Sequence, residues 1–347
     1  MKQNLSFIIP NNEEKQNNNF VNFKNIKLVF FSLICFLVLV LLSLNPQIYL
    51  ESTLNGLVVF GSILLPSLLP FFVFTKLLTS LQVINQFCKV FNPITKFLFD
   101  VPSIASYIFF MSIISGYPVG AKLLMECYNE GLITKEEAKK IVTFTSNSGP
   151  MFIIGTVGVG MLLSKEAGYI MLISHFLGSI LNGVFHRFFL PASTSNNQQK
   201  KEVELDDLIN RAVQSSISSL LLIGGYVAVF FTVIELLNYY DVISVIAKLL
   251  QPMLSIFSIN DATIKSFLEG FLEITKGCFS IKHLALPLKE SIILCNAIIS
   301  FGGVCVMMQA MSFLKTCFIK TNFYLLQKAT HMVFSTLICM LLLFVFM

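Results

Sequence analysis

The composition of this chain is typical of a membrane protein. It has 347 residues, of which 55% are hydrophobic and only 12% are charged, and its net charge is +5. Because soluble proteins carry about 25% charged residues, this composition excludes a disordered chain, a fibrous repeat and almost any soluble enzyme. A spanning helix needs about 20 apolar residues, and about eight to ten such stretches predict an all-α polytopic protein embedded in a lipid bilayer. The small positive charge fits the surplus Lys and Arg of cytoplasmic loops and does not indicate nucleic-acid binding.

The N-terminal segment predicts a cytoplasmic tail followed by a membrane anchor. Residues 1–25 are polar and rich in Asn, and a first span follows at about 26–44. This span lacks a small-residue cleavage site, which favours an uncleaved anchor over a signal peptide. Lys24 and Lys27 lie on its N-terminal side, so the N-terminus is expected in the cytoplasm.

The next segments predict irregular and interfacial helices. The apolar run at about 54–79 contains Pro66 and Pro70, so it is expected to kink or break. Residues 83–100 are amphipathic and contain Pro93, which predicts interrupted helices at the membrane interface.

Two polar interruptions divide the rest of the first half. An apolar run at 103–115 leads into the first interruption, Ser115–Gly120. A short charged helix from Thr134 to Val142 precedes the second interruption, Ser146–Pro150. A span at about 168–190 ends this half.

A hydrophilic linker at 191–211 separates a first membrane half, 26–190, from a second, 212–347. The second half repeats the order of the first. Its elements are a span at 216–238, an amphipathic stretch at 241–258 with Pro252, a charged apolar helix at 262–280, a segment at 289–312 and a final span at 322–347.

An offset of 154 residues aligns the two halves. The matched pairs are Gly116 with Gly270, Tyr117 with Phe271, Lys122 with Lys276, Lys135-Glu136 with Lys289-Glu290, Ser146 with Ser300 and Gly149 with Gly303. Transporters are often built from two repeats whose Gly- or Pro-broken helices meet at a substrate site near the bilayer midplane. Broken helices expose backbone polar groups, which are tolerated where they line a cavity. The candidate site is therefore formed by the interruptions of both halves, Ser115–Gly120 and Ser146–Pro150 with their partners Gly270 and Ser300–Gly303. Close helix packing by small residues is the alternative.

Two carboxylates in apolar surroundings are candidates for ion coupling. Glu269 and Glu273 are four residues apart, so a continuous helix would place them on one face, with Lys265 and Lys276 on or near it. They could form a neutralising ladder, Lys265 with Glu269 and Glu273 with Lys276. Alternatively, one of them could bind a coupling H⁺ or Na⁺, because carboxylates inside a membrane are costly and usually functional.

The repeat also pairs two lysines, Lys122 and Lys276. Pseudo-symmetry would place them on opposite sides of one cavity, where each could bind one carboxylate of a dianion. Alternatively, Lys276 pairs only with Glu273 and Lys122 extends to the membrane interface.

The cysteines and histidines do not predict a metal, cofactor or enzyme site. The eight Cys and four His (His175, His186, His283 and His331) are scattered, without the spacing of metal ligands. Without a Ser/His/Asp or Cys/His set on nearby helices, an intramembrane enzyme is not expected. Without a Walker loop, the chain itself is not expected to pump with ATP.

Four motifs resemble a known family. SGYPVGAK at 115–122, TSNSGPMFIIGTVG at 145–158, EGFLEITKG at 269–277 and SFGGVCV at 300–306 resemble the YlbJ-type sporulation integral membrane proteins. That family belongs to the nucleoside-recognition (Gate) domain superfamily, which includes part of the concentrative nucleoside transporters. The resemblance covers about 50–345.

The resemblance implies a role in endospore formation, in moving dipicolinate across the outer forespore membrane. The family's motif positions match the following residues here: Gly116, Tyr117, Pro118, Lys122, Asn147, Ser148, Gly149, Pro150, Glu269, Glu273, Gly302 and Gly303. The segments lack the acidic and Gln-rich signature with which nucleoside transporters bind ribose and base, which argues against a nucleoside.

The sequence therefore predicts a multi-pass secondary transporter of a small anionic metabolite, in the bacterial cell membrane or the outer forespore membrane. The alternatives are a permease for nucleosides or other small solutes, and a sporulation scaffold that does not transport. Purified protein in vesicles would separate a transporter from a scaffold.

Overall fold

A computed structural model describes residues 23–80, 83–191, 208–255 and 259–347. These residues form helices and no strands, which confirms the all-α fold. Most of the 191–211 linker and nearly all of the 1–25 tail lie outside the described residues. The chain divides into a unit ending at Pro46, whose described part is the apolar helix α1 (Phe23–Leu44), and a second unit, Gln47–Met347.

The second unit contains helices in two series. The first half comprises α2 (Pro46–Val59), a π-helical segment π1 (Phe60–Leu64), α3 (Leu65–Ser80), α4 (Val83–Phe99), α5 (Ile104–Ser115), α6 (Val119–Asn129), α7 (Lys135–Thr145), a second π-helical segment π2 (Met151–Met161) and α8 (Lys165–Arg187). The second half comprises α9 (Leu208–Tyr239), α10 (Val242–Leu254), α11 (Asp261–Leu272), α12 (Ile274–His283), α13 (Leu288–Phe301), α14 (Gly303–Leu314) and α15 (Thr321–Phe346).

Several of these helices have the length and apolar surface of membrane spans. Among the described residues, four helical segments are long and apolar enough by themselves: Lys165–Arg187, Leu208–Tyr239, Leu288–Cys317, which contains both α13 and α14, and Thr321–Phe346. Leu221 on α9 and Phe344 on α15 are among their large exposed apolar side chains. These helices confirm a polytopic membrane protein.

The prolines perturb the helices less than expected. The irregularity near Pro66 is the π-helical segment π1, and α3 continues through Pro70. The expected interruption at Pro93 is wrong, because α4 is continuous to Phe99. Pro93 has no N–H to donate to the backbone carbonyl of Lys89. Both residues are exposed, so water at the interface can donate a hydrogen bond to that carbonyl instead.

Each half contains two broken helices in the described residues. The breaks lie between α5 and α6 at Gly116–Pro118, between α7 and π2 at 146–150, between α11 and α12 at Glu273, and between α13 and α14 at Gly302. We refer to them as breaks 1 to 4. Breaks 1, 2 and 4 coincide with interruptions seen in the sequence, and break 3 lies three residues after Gly270.

Break 3 overturns one prediction. The segment 262–280 is not one helix, because Glu273 has an extended backbone (φ −143°, ψ 121°) and caps α12. Glu269 and Glu273 therefore do not share a helix face. The carboxylate of Glu273 accepts a hydrogen bond from the backbone N–H of Lys276 (2.8 Å), and this cap stabilises the new helix start.

The final helices of the two halves are antiparallel. Gly178 on α8 lies against Ser335 on α15, whereas further along α8 Asn182 donates a hydrogen bond to the carbonyl of Gln327 (3.1 Å), which lies earlier on α15. A Cβ on Gly178 would lie 2.7 Å from the Ser335 Cα, so the backbones meet closely, as small residues allow. Because α8 and α15 occupy equivalent places in the two series, the halves have inverted orientations.

Candidate functional site

A cavity of about 680 Å³ lies where the broken helices of the two halves meet. Three of the four breaks contribute to its wall through Ser115, Gly116, Tyr117, Ser148, Gly149 and Glu273. Much of the remaining wall is apolar and comes from α3, π2, α9 and α14, including Phe71, Phe152, Val227 and Val306.

Backbone contacts hold the breaks of each half together. Gly116 has φ +77°, and a Cβ there would lie 2.4 Å from the backbone nitrogen of Gly149. In the second half, a Cβ on Gly303 would lie 3.3 Å from the carbonyl oxygens of Gly270 and Leu272. Glycine is thus required at Gly116 by both conformation and space, and breaks 1 and 2 form one surface of the cavity.

Two charged side chains are on the cavity wall. Glu273 is buried, and its carboxylate is compensated by the N-terminus of α12, which it caps. Lys282, at the end of α12, brings an ammonium to the wall and donates a weak hydrogen bond to the carbonyl of Gly160 (3.5 Å). Lys282 was not predicted as a site residue.

A third charged group, Lys328 on α15, lies behind Tyr117. Its ammonium donates to the hydroxyl of Tyr117 (2.6 Å), the carbonyl of Ser146 (2.9 Å) and Nδ1 of His331 (3.2 Å). The residue is only 2% exposed. One side of Tyr117 therefore lines the cavity, and its hydroxyl accepts a hydrogen bond from a buried lysine.

Two buried histidines extend this polar cluster from Lys328 to breaks 2 and 4. His331 donates through Nε2 to the backbone carbonyl of His175 (2.9 Å), which leaves its Nδ1 as the acceptor for Lys328. His175 accepts from the N–H of Ser148 through Nε2 (2.9 Å), so its Nδ1 donates to the hydroxyl of Ser300 (2.9 Å). Both imidazoles are therefore neutral in this arrangement.

The two equivalent lysines do not face one cavity. The Lys122 ammonium donates to the hydroxyls of Ser215 (3.0 Å) and Ser219 (2.9 Å), whereas Lys276 pairs with Glu235 (3.0 Å). From Ser219 to Glu235, α9 extends about 24 Å at 1.5 Å per residue. This separation exceeds a small dicarboxylate, so the two-lysine site is wrong. The two lysines are separated because inverted halves place equivalent residues at different levels along α9.

The expected carboxylate ladder is also absent from the described contacts. Glu269 accepts from the side-chain amide of Asn238 (2.8 Å) and from the hydroxyl of Ser280, not from Lys265. The ammonium of Lys276 binds Glu235 instead of Glu273. Break 3 accounts for the missing pair of Glu273 with Lys276. Lys265 and Glu269 both lie on α11, and their pair is missing because Glu269 binds Asn238 and Ser280 instead.

Other predicted site residues shape the breaks and do not line the cavity. Asn147 donates to the Phe144 carbonyl (2.9 Å) and to the Ser112 hydroxyl (3.2 Å), which closes break 2. The remaining residues of this group, also absent from the cavity lining, are Pro118, Pro150, Ser300, Gly302 and Gly303. Among the predicted residues, Gly116, Tyr117, Ser148, Gly149 and Glu273 come together at the cavity.

The buried cluster could have been found from one sequence signal. His175-x-x-x-Ser179 recurs as His331-x-x-x-Ser335 at an offset of 156 residues, close to that of the repeat. The two imidazole rings lie 4.7 Å apart. Equivalent residues meet in this way where an approximate two-fold axis passes between inverted halves.

The fold and cavity define a polytopic helical membrane protein built from two inverted halves. The chain is 26% identical over 319 residues to the sporulation integral membrane protein YlbJ of Bacillus subtilis (strain 168). The similarity covers 86% of this chain and 78% of that protein, and it supports a YlbJ-type assignment. No protein-family profile matches the chain, and no solved structure matches it.

Proposed function

We propose that this protein is a secondary transporter of a small anionic metabolite. The observation that carries the proposal is the cavity between inverted halves, lined by helix breaks of both. In transporters with inverted repeats, discontinuous helices form the substrate site, and movement of one repeat against the other changes its accessibility. A scaffold would have no need to leave backbone polar groups at a cavity inside the membrane.

Charge favours an anion over a neutral or cationic substrate. Lys282 is on the cavity wall, and Lys328 lies one side chain behind it. The negative charge of Glu273 is engaged by the start of α12. The volume of about 680 Å³ is within the range of about 300–1,000 Å³ typical of small-molecule sites.

Dipicolinate is the first substrate to test. The curated relative is a sporulation membrane protein, and a membrane role in sporulation fits this chain. The resemblance of the motifs to YlbJ-type proteins suggests dipicolinate, a compact aromatic dicarboxylate, and transport across the outer forespore membrane. Its two carboxylates match the excess of positive charge around the cavity.

Purified protein reconstituted in lipid vesicles tests the proposal. With unlabelled dipicolinate inside, we expect labelled dipicolinate to enter by saturable exchange, in competition with other small dicarboxylates and not with the neutral diamide. A labelled nucleoside and protein-free vesicles are the controls. Exchange of the nucleoside instead would favour the permease alternative. An absence of exchange by monodisperse protein would contradict the transport function and favour a scaffold.

A further inference from the structure

Lys328 is a buried cation without an acidic partner in the part of the chain that the structure describes. The three hydrogen bonds of its ammonium go to a phenol, a backbone carbonyl and a neutral imidazole. The Tyr117 ring, 4.9 Å from the ammonium, adds only a cation–π contact. An isolated ion at low dielectric is costly, because neutral hydrogen bonds replace only part of its hydration.

The ammonium lies at the carbonyl end of one broken helix and is linked through Tyr117 to the carbonyl end of a second. Ser146, whose carbonyl accepts from Lys328, lies at the C-terminal end of α7 at break 2. The Tyr117 hydroxyl that Lys328 contacts lies 3.4 Å from the carbonyl oxygen of Ile299, near the C-terminal end of α13 at break 4. Helix C-termini carry about half a negative charge each. In other broken-helix transporters, such carbonyl ends coordinate Na⁺ or H⁺.

Among the side chains around Lys328, the lysine itself is the group whose charge can change, by binding or releasing a proton. The titratable groups that contact it are Tyr117 from break 1 and His331 from α15, and His175 from α8 lies behind His331. Tyr324, one turn earlier on α15, is also buried. From α7 it meets the Ser146 carbonyl, and Ser300 of α13 is reached through His175. The tautomers of both histidines are fixed by their hydrogen bonds, as described above.

Building on the proposed transport function, we infer that Lys328 carries the coupling proton, so that one H⁺ moves together with the anion. An anion in the cavity stabilises the ammonium behind Tyr117, and the ammonium stabilises the anion. Such reciprocal stabilisation makes the two bind cooperatively. The proton comes from water on the side where the cavity opens and returns to water on the other side. Because the ammonium supplies the positive charge that a bound Na⁺ would bring, the inference does not require Na⁺.

Glu273 is the competing coupling site, as its carboxylate is on the cavity wall. Its role as the cap of α12 requires an acceptor oxygen and not a titrating proton. The substitution Glu273→Gln keeps an acceptor and removes the charge, so it tests this carboxylate directly.

The test compares two assays in the same vesicles. Exchange of labelled dipicolinate without any gradient measures transport alone, and accumulation under an inward pH gradient measures coupling. A gradient of about one pH unit supports about ten-fold accumulation for each coupled proton. The variants are Lys328→Met, Lys328→Arg, which keeps the charge but does not release its proton, Glu273→Gln, and the exposed control Lys315→Met.

We expect native protein and Lys315→Met to accumulate the anion about ten-fold, equally well in Na⁺-free buffer, by the same reckoning. Lys328→Met and Lys328→Arg should lose the accumulation driven by the pH gradient. Because the ammonium also stabilises the anion, exchange should slow in Lys328→Met and slow less in Lys328→Arg, which keeps the charge. In Glu273→Gln, accumulation of the anion should still respond to the pH gradient, whatever the rate of transport. Accumulation that requires Na⁺, or coupling that survives in Lys328→Met, would overturn the inference while exchange still supports transport. Failure of exchange in native protein would instead contradict the proposed function.

Discussion

Replacing Gly116 by alanine is expected to abolish exchange and to destabilise the folded protein by about 2–5 kcal/mol. The new Cβ would lie 2.4 Å from the Gly149 nitrogen, and φ at this position is +77°. Since breaks 1 and 2 meet through backbone atoms, the contact can be relieved only by moving them apart. Thermal unfolding in detergent and dipicolinate exchange in vesicles would measure the two effects.

A matched variant separates the contact from the backbone strain. Gly131 has nearly the same conformation (φ +73°), but a Cβ there would meet nothing within 4 Å. Gly131→Ala should therefore show only the smaller cost of the left-handed conformation, about 1–2 kcal/mol, and should retain exchange. Equal losses in the two variants would mean that the contact between breaks 1 and 2 has no functional importance.

Replacing His175 by leucine is expected to have the second largest effect. The imidazole accepts from the N–H of Ser148 and donates to the hydroxyl of Ser300, so it joins break 2 to the end of α13 near break 4. Leucine leaves the Ser148 N–H buried without this acceptor, and such an unsatisfied group costs about 1–3 kcal/mol. The Ser300 hydroxyl loses the imidazole but keeps its hydrogen bond to Ser335 (2.8 Å). We expect a clear drop in the unfolding temperature in detergent.

Two further histidine variants give the comparison its specificity. His283 is exposed, so His283→Leu should leave the unfolding temperature nearly unchanged. Glutamine can accept with its oxygen and donate with its nitrogen, so His175→Gln should recover part of the loss. If His175→Gln is as damaging as His175→Leu, the two hydrogen bonds do not explain the role of the imidazole.

The sequence indicates the architecture wherever a residue type constrains the backbone. The interruptions at Ser115–Gly120 and Ser146–Pro150 contain glycine or proline, and the chain breaks there. Break 3 has no such signal at its centre, because Glu273 is a good helix former. Its extended conformation depends on the local cap that Glu273 makes with the Lys276 N–H and on packing against break 4, and the second of these is tertiary.

The buried cluster was missed because it is assembled by antiparallel packing. His175 and Lys328 are 153 residues apart and lie in helices that otherwise read as apolar spans. Without knowledge of the inverted orientation, the recurrence of His-x-x-x-Ser at 175–179 and 331–335 is the signal that links the two helices. The same orientation separates Lys122 from Lys276, which sequence equivalence alone had suggested were close together.

Filling the cavity tests most directly the claim that the anion passes between the helix breaks. Gly155 lines the cavity, and a Cβ there would meet nothing within 4 Å, so phenylalanine can enter the open space. Gly225 on α9 is also open but does not line the cavity, which makes Gly225→Phe the matched control. In vesicles containing equal amounts of folded protein, Gly155→Phe should abolish dipicolinate exchange and Gly225→Phe should retain it. Exchange at the native rate by Gly155→Phe would contradict a transport path through this cavity.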